Sequence, residues 1–309
     1  MEKNASLIPY YLVDVFTDVR FGGNQLAVFI DLEDRLTTED MQQITREFNF
    51  SEVSFIKAQL SEGSFAVRIF TPEYEVPFAG HPVLGTAFVI ARFLLPQVPD
   101  QLTLSVPIGE IPIELDKPER LADCRFTMQQ AQPVFGPFIP VERLAEGLRI
   151  PPSAFVPQTT IQQISTGLPY LIIPLRDRKT LESLKLRAEL IQDFLLAHGM
   201  HKTNSLDGLN TSFFFFTTET EAADSDYQAR MLCLENGQLI EDPATGSANG
   251  CFLAYLLQHQ APLIKAVVEQ GFQMGRKSFL YLDGARKGEH FRLGVGGQVA
   301  LQAKGSWYP

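Results

Sequence analysis

Apolar and polar positions along this chain fall into two periods, and both recur from end to end. The stretches "YYLVDVF" and "QLAVFI" alternate or run apolar, as strands do, and "TDVRFGGN" between them carries turn chemistry. "TTEDMQQITREFNF" changes to helical spacing, with Thr at its start and Glu39 and Asp40 in the first turn, where negative charge suits the helix dipole. "VSFIKA" and "SFAVRIFT" return to strand patterning. "VLGTAFVIARFLL" then predicts about three turns of apolar helix, entered through Pro82 at a first helical position. "LTLSV", "IPIEL" and "CRFTMQQA" read as strands, and "PVFGPFIP" reads as a Pro/Gly-rich break, which sets a domain boundary near 120–140. Beyond it, "VERLAEGLR" and "LESLKLRAELIQDFLLAHGM" predict helices. "PYLIIPL", "SFFFFTT", "YQARMLCL", "SFLYL" and "FRLGVGGQVALQA" predict strands, with "SFFFFTT" buried on both faces.

Within this alternation the chain repeats itself. "EVPFAGHPVLGTAFVIARFLL" begins Glu75, Pro77, Gly80 and becomes an apolar helix; "EDPATGSANGCFLAYLLQ" begins Glu241, Pro243, Gly246 and does the same, with the same spacings. The two glycines stand 166 residues apart, about half the chain, which favours duplication of a whole domain. Two related domains face one another in the usual case, and ligand sites prefer domain interfaces, so the expected site is a cleft where two equivalent helix starts converge.

A helix start leaves backbone N–H groups unpaired and carries about half a positive elementary charge, so it attracts anions. Glycine lets a ligand approach without a Cβ in the way, and Pro82 opens the first helix without wasting a donor. The second start adds the hydroxyls of Thr245 and Ser247. Together the two ends suit a carboxylate or a developing enolate. The plainer reading is Gly-Pro punctuation before a core helix. A proton carrier is offered by "REFNFSEVSFI", where Ser51 and Glu52 stand between Phe50 and Val53; apolar neighbours push a carboxyl group toward neutrality, where general acid/base catalysis works best. The alternatives stay open: Glu52 as a solvated turn carboxylate, His81 as a hydrogen-bonded structural imidazole, Asp242 as a turn or cap residue.

Composition removes several function classes. With 309 residues the chain has room for two core-bearing domains, and 45% hydrophobic with 20% charged residues is ordinary for a folded globular protein. A formal charge of -10 without a Lys/Arg cluster speaks against nucleic acid. No apolar run is long enough to span a membrane and the first residues lack a secretory pattern, so the expected location is the cytoplasm. Cys124, Cys233 and Cys251 are odd in number and widely spaced, which predicts packed thiols rather than disulfides or structural zinc. The five histidines form no H-E-x-x-H pair, and His198 and His201 read as exposed helix caps; no metal site is expected. "TGSANG" is not a G-x-S-x-G elbow, and "GVGGQ" lies in a strand-like segment with no helix after it, so neither a serine hydrolase nor a dinucleotide site is indicated.

The motifs "VDVFTDVRFGGNQLAVF", "NFSEVSFI", "FAGHPVLGTAF", "EDPATGSANG" and "EQGFQMGRKSFL", in this order over residues 13 to 280, resemble the phenazine-biosynthesis PhzF-like isomerase family of the diaminopimelate epimerase-like superfamily. The resemblance implies an α+β fold of two pseudo-symmetric domains, each a curved sheet or barrel around a central apolar helix. It divides the chain into 1–121 and 122–309, with the last strand free to return to the first domain. It also implies metal- and cofactor-independent proton transfer on a small carboxylate-bearing substrate, and a homodimer. By motif match Glu52 is the acid/base, with His81 and Asp242 around the substrate. Gly80, Gly246 and Ser247 bind its carboxylate or oxyanion, and Ser51 and Asn24 are weaker carry-overs. Epimerases of the superfamily place a cysteine at each helix start. Here "FAGH" and "DPATG" have none, so two-thiol racemisation is not expected. Gln25 and Lys277 each replace a residue common in the family, outside the proton-transfer set. The founding reaction, isomerisation of trans-2,3-dihydro-3-hydroxyanthranilate, does not fix this chain's substrate, since a fold hosts many. The rival reading is a catalytically idle relative that serves as a binding module.

Overall fold

The computed structural model describes residues 7–308 and divides the chain into two compact units, one of residues 1–129 with 296–309, the other of residues 130–295. The N-terminal unit contains β1 (Ile8–Val15), β2 (Asn24–Ile30), α1 (Thr38–Phe48), β3 (Val53–Ser61), β4 (Ser64–Phe70), β5 (Glu75–Val76), α2 (Gly80–Phe93), β6 (Gln101–Val106), β7 (Gly109–Leu115) and β8 (Phe126–Gln129). Strand β1 pairs antiparallel with β2, which runs parallel to β3 after the α1 crossover. Strand β4 pairs antiparallel with β3 and β5 and parallel with β6 after the α2 crossover, and β7 then joins β6 to β8.

Downstream come β9 (Val134–Phe138), α3 (Val141–Leu148), β10 (Gln162–Ser165), β11 (Pro169–Pro174), α4 (Arg178–Ser183), α5 (Ala188–Ala197), β12 (Ser212–Thr217), β13 (Tyr227–Glu235), β14 (Gln238–Asp242), α6 (Gly246–His259), β15 (Leu263–Gln270), β16 (Ser278–Lys287), β17 (His290–Gly297) and β18 (Val299–Trp307). The pairing scheme repeats. Strand β10 is antiparallel to β11, β11 parallel to β12 across α4 and α5, β13 antiparallel to β12 and β14 and parallel to β15 across α6, and β15 antiparallel to β16. Even the flanking strand matches: β18 pairs with β1 in one unit, β9 with β10 in the other.

Each unit is built around one helix. In α2 every residue from His81 to Ala91 is buried, and in α6 Gly246 and every residue from Ala248 to Leu257. A helix apolar on all sides has no solvent face to offer and must be enclosed. Helix α2 packs on β1, β2, β3, β6 and β8, and α6 on β10, β11, β15 and β16. Burying Val83, Leu84, Val89 and Ile90 contributes about 1.5–3 kcal/mol each. Peripheral helices seal the outer faces. Thr37 and Asp40 form a reciprocal capping box on α1, which packs Met41 and Ile44 against Phe29 and Phe55. Leu144, Ile191 and Phe194 of α3 and α5 pack with Phe213 and Phe215.

Several local expectations are corrected. "PVFGPFIP" is not a break but contains β9, with Pro137 accommodated where the register with β10 shifts. The long helix expected over 181–200 is two helices: Leu184-Lys185-Leu186 alternates, and both leucines turn to the core in extended backbone. "FRLGVGGQVALQA" splits at Gln298, whose carbonyl accepts from the Phe16 and Thr17 amides. His201 is buried and bonded to Thr203 Oγ1 at 2.7 Å rather than exposed, and His198 is half-buried against the Phe194 ring. The three cysteines are free, with Cys124 and Cys251 buried and Cys233 partly so; burial pushes the Cys251 thiol up to about 12, so it is no thiolate at neutral pH. Among the described residues no helix is long and apolar enough to cross a membrane.

Candidate active site

In the N-terminal unit the chemistry gathers at the start of α2. Its N-cap is Ala79, which has no side chain able to cap, and no acidic residue follows in the first turn, so the helix start keeps its affinity for anions. His81, only 6% exposed, lies in that first turn. Its Nε2 is 3.3 Å from the carbonyl oxygen of Gln25 on β2 and 3.5 Å from Glu52 Oε2. The Gln25 carbonyl, an acceptor only, calls for the proton on Nε2. Burial lowers the His81 pKa to about 3, opposed only in part by the Gln25 carbonyl. The imidazole is therefore neutral at pH 7, and its 3.5 Å approach to Glu52 is a contact between a neutral ring and a carboxyl group rather than an ion pair.

Glu52 immediately precedes β3, and its side chain is 19% exposed, packed at one edge and open at the other. One turn further along the helix, the Ser54 and Thr86 hydroxyls meet at 2.6 Å, both fully buried, and tie β3 to α2. That bond fixes the spacing of Glu52 and His81. Ser51 is exposed beside Glu52, and Asn24, buried at the head of β2, precedes the carbonyl that meets His81. The bend before Asn24 needs Gly23, at φ +58°, where a Cβ would come within 2.3 Å of the Val15 carbonyl oxygen. Since the Gln25 contact uses backbone, any side chain at that position supplies it. Lys277, the other departure, is a surface residue paired with Glu221.

In the C-terminal unit the start of α6 is a hydroxyl and amide network. Thr245 is the N-cap, but its hydroxyl donates to Asp242 Oδ2 instead of capping the helix, which again leaves the first turn without a side-chain cap. Gln270 locks the turn: its Nε2 donates to the Asp242 carbonyl and to Thr245 Oγ1, both at 2.9 Å, while its Oε1 accepts from Thr245 N and Asn249 Nδ2. Gly271 follows at φ +75°, and a Cβ there would stand 2.6 Å from the Pro243 carbonyl oxygen. The "EQG" and "EDPATG" motifs thus form one structural piece. Ser247 Oγ is 2.7 Å from the hydroxyl of Tyr170 on β11, and burial raises the Tyr170 pKa well above its ordinary value, keeping it protonated.

The structure therefore brings Glu52, His81 and Gly80 together in one unit and Asp242, Gly246 and Ser247 in the other. Sequence reasoning missed Tyr170, Gln270 and Asn249. Gln270 was visible inside the "EQGFQMGRKSFL" motif; Tyr170 closes "STGLPY", which reads as a loop that could wall the site, but nothing in the sequence pointed to Ser247, 77 residues on, as its partner. It also gave no role to Glu75 and Glu241. Each takes a bidentate arginine on the neighbouring strand, Arg68 at 2.8 and 2.6 Å and Arg230 at 2.9 and 2.7 Å, and so pins the strand that leads into the central helix. Among the described residues no group of three or more His, Cys, Asp or Glu is placed to hold a metal.

Duplicated mixed sheets wound around buried helices, with a bare helix start in each, define the diaminopimelate epimerase-like class of fold. A PhzF-family protein of Bacillus anthracis superimposes with a TM-score of 0.84 at 23% identity, covering 98% of this chain and all of the other; a hydroxyproline epimerase from Agrobacterium vitis does so at 0.60 and 12%, covering 99% and 94%. The chain belongs to the PhzC-PhzF family of phenazine biosynthesis-like proteins, whose family model matches residues 13–305. It is 30% identical over 303 residues to a trans-2,3-dihydro-3-hydroxyanthranilate isomerase of Pseudomonas aeruginosa, across 97% of this chain and 99% of that one. The protein is an isomerase.

Proposed function

We propose that this isomerase moves a proton on a small carboxylate-bearing substrate, with Glu52 as the general acid/base. The observation that supports this reading is the pairing of a partly exposed carboxyl group with a buried imidazole held neutral, 3.5 Å apart, at an uncapped helix start. Glu52 takes the proton from an activated carbon and returns it to another position of the same molecule. His81, its Nε2 proton taken by the Gln25 carbonyl, packs beside Glu52 and brings no positive charge next to it. Gly80, Gly246 and Ser247 serve as carboxylate- and oxyanion-binding groups through N–H and O–H donors, and Asp242 holds the second helix start in shape while facing the substrate. Ser51 and Asn24 complete the substrate-binding set. The same reading takes the enzyme to be a cytoplasmic homodimer working without metal or organic cofactor.

The test is proton exchange. The protein is incubated in D₂O with trans-2,3-dihydro-3-hydroxyanthranilate and a panel of small carboxylates, and deuterium incorporation is followed by mass spectrometry. Wild-type protein should label a substrate, and Glu52→Gln should lose about 10²–10⁴-fold in rate, the share that general acid/base catalysis supplies. Label that survives the substitution would remove Glu52 from the mechanism and leave the isomerase. Absence of label with every candidate would favour the idle binding module.

A further inference from the structure

Against the expectation of no Lys/Arg cluster, the segment Arg176–Arg187, "RDRKTLESLKLR", gathers five cationic and two acidic residues in a chain whose formal charge is -10. It forms one wall of a cavity of about 320 Å³ in the C-terminal unit, closed on the other side by the end of α3 and the turn that follows it. Buried Leu148, Ile150 and Ala154 supply an apolar floor continuous with the core. Arg149, Arg176 and Lys185 supply charge, and no Asp or Glu lines the space. Arg176 shares its Nε with Asp177 at 2.9 Å, whereas Arg149 and Lys185 make no ion pair among the described residues. Two cations thus face the cavity without a protein counter-charge.

The wall is held from behind. Arg230 Nη1 donates to the carbonyls of Leu181 and Leu184 at 3.0 and 3.2 Å while the rest of its guanidinium grips Glu241. The cavity is therefore preformed, and a ligand need not order its own site. We propose that it is a second binding site, for a small organic anion. A carboxylate, sulfonate or phosphate head lies between Arg149 and Lys185, and a hydrocarbon or aromatic body rests on Leu148, Ile150 and Ala154. The volume is at the small end of ligand pockets and suits a body of about one ring. This site shares no residue with the helix starts.

Calorimetric titration of the full chain with phenyl phosphate tests the proposal, beside inorganic phosphate and benzyl alcohol as the head and the body alone. Phenyl phosphate should bind wild type and Ser247→Ala alike, and at least about tenfold more weakly in Arg149→Gln/Lys185→Gln, whose two sites are exposed and tolerate change. Each half-ligand should bind at least about tenfold more weakly than the whole. The proposal fails if phenyl phosphate shows no saturable binding up to about 10 mM, if the double variant binds it as well as wild type, or if Ser247→Ala abolishes binding.

Discussion

The two units run the same strand scheme around the same kind of helix, yet the first turns of α2 and α6 carry different chemistry. What they share is support: a glutamate two residues before a proline, clamped by an arginine from the adjacent strand, then a glycine that opens the helix. What differs is everything that faces outward from that support. The N-cap is Ala79 in one and Thr245 in the other; the residue after the glycine is His81 or Ser247; the strand position after the clamped glutamate is Val76 or Asp242. Even so, the residue after the glycine reaches the equivalent strand in both. His81 reaches the carbonyl of Gln25 on β2, and Ser247 reaches Tyr170 on β11, the second strand of the shared scheme in each case. Duplication kept the frame and released the side chains, so one start offers an imidazole beside a carboxyl, the other hydroxyls beside the Asp242 carboxyl.

If the arginine clamps are the same device at different depths, breaking them must cost different amounts. Arg230 and Glu241 are 10% and 16% exposed, Arg68 and Glu75 both 30%. Arg230→Met strands a nearly buried carboxylate and frees two backbone carbonyls, and should cost about 3–5 kcal/mol in urea denaturation. Arg68→Met leaves Glu75 within reach of water and should cost about 1 kcal/mol or less. Equal losses would mean that the clamps do not differ by burial.

The second contrast concerns acid. Folded His81 takes a proton only near pH 3, whereas in the unfolded chain it does so near its ordinary 6.5. Between those values the unfolded state binds more protons, so stability falls as pH falls through the window and is fully retained above it. From pH 6.5 to 4.5 this single group removes about 2 kcal/mol. His81→Gln should flatten that limb by the same amount, read as the difference between urea midpoints at pH 7 and 4.5. Ser247→Ala, at the equivalent position, should leave the acid slope unchanged. A parallel slope in wild type and His81→Gln would show that the imidazole is not held neutral.

These contrasts mark how far the chain could be read without a structure. Both central helices were legible because they are apolar on every side, and the repeated Glu-Pro-Gly spacing located their starts. Glu52, His81, Asp242 and Ser247 were legible because they sit inside or beside those motifs. The clamps were not, since Arg68 and Arg230 lie on strands 7 and 11 residues before their partners and look like ordinary surface cations. Strands β10, β14 and β15 escaped for a related reason: "QQIS" and "QLIED" are short and polar, and "LIKAVVEQ" alternates imperfectly, so pairing rather than local pattern makes them strands. The break at 184–187 was hidden by leucines that fit a helix as well as an extended segment.

The smallest contrast is the most specific, because it asks whether Ser247 and Tyr170 act as one unit. Tyr170→Phe removes a neutral hydrogen bond between a buried tyrosine and a part-buried serine and should cost about 1 kcal/mol, a shift of roughly 2 °C in Tm for a chain of this size. Ser247→Ala should cost more, about 1–3 kcal/mol, because it leaves the buried tyrosine hydroxyl without its partner. The double variant then has no stranded group and should be more stable than Ser247→Ala alone. Strictly additive losses would mean that the two hydroxyls are independent, and the parallel with His81 and the Gln25 carbonyl would fall with them.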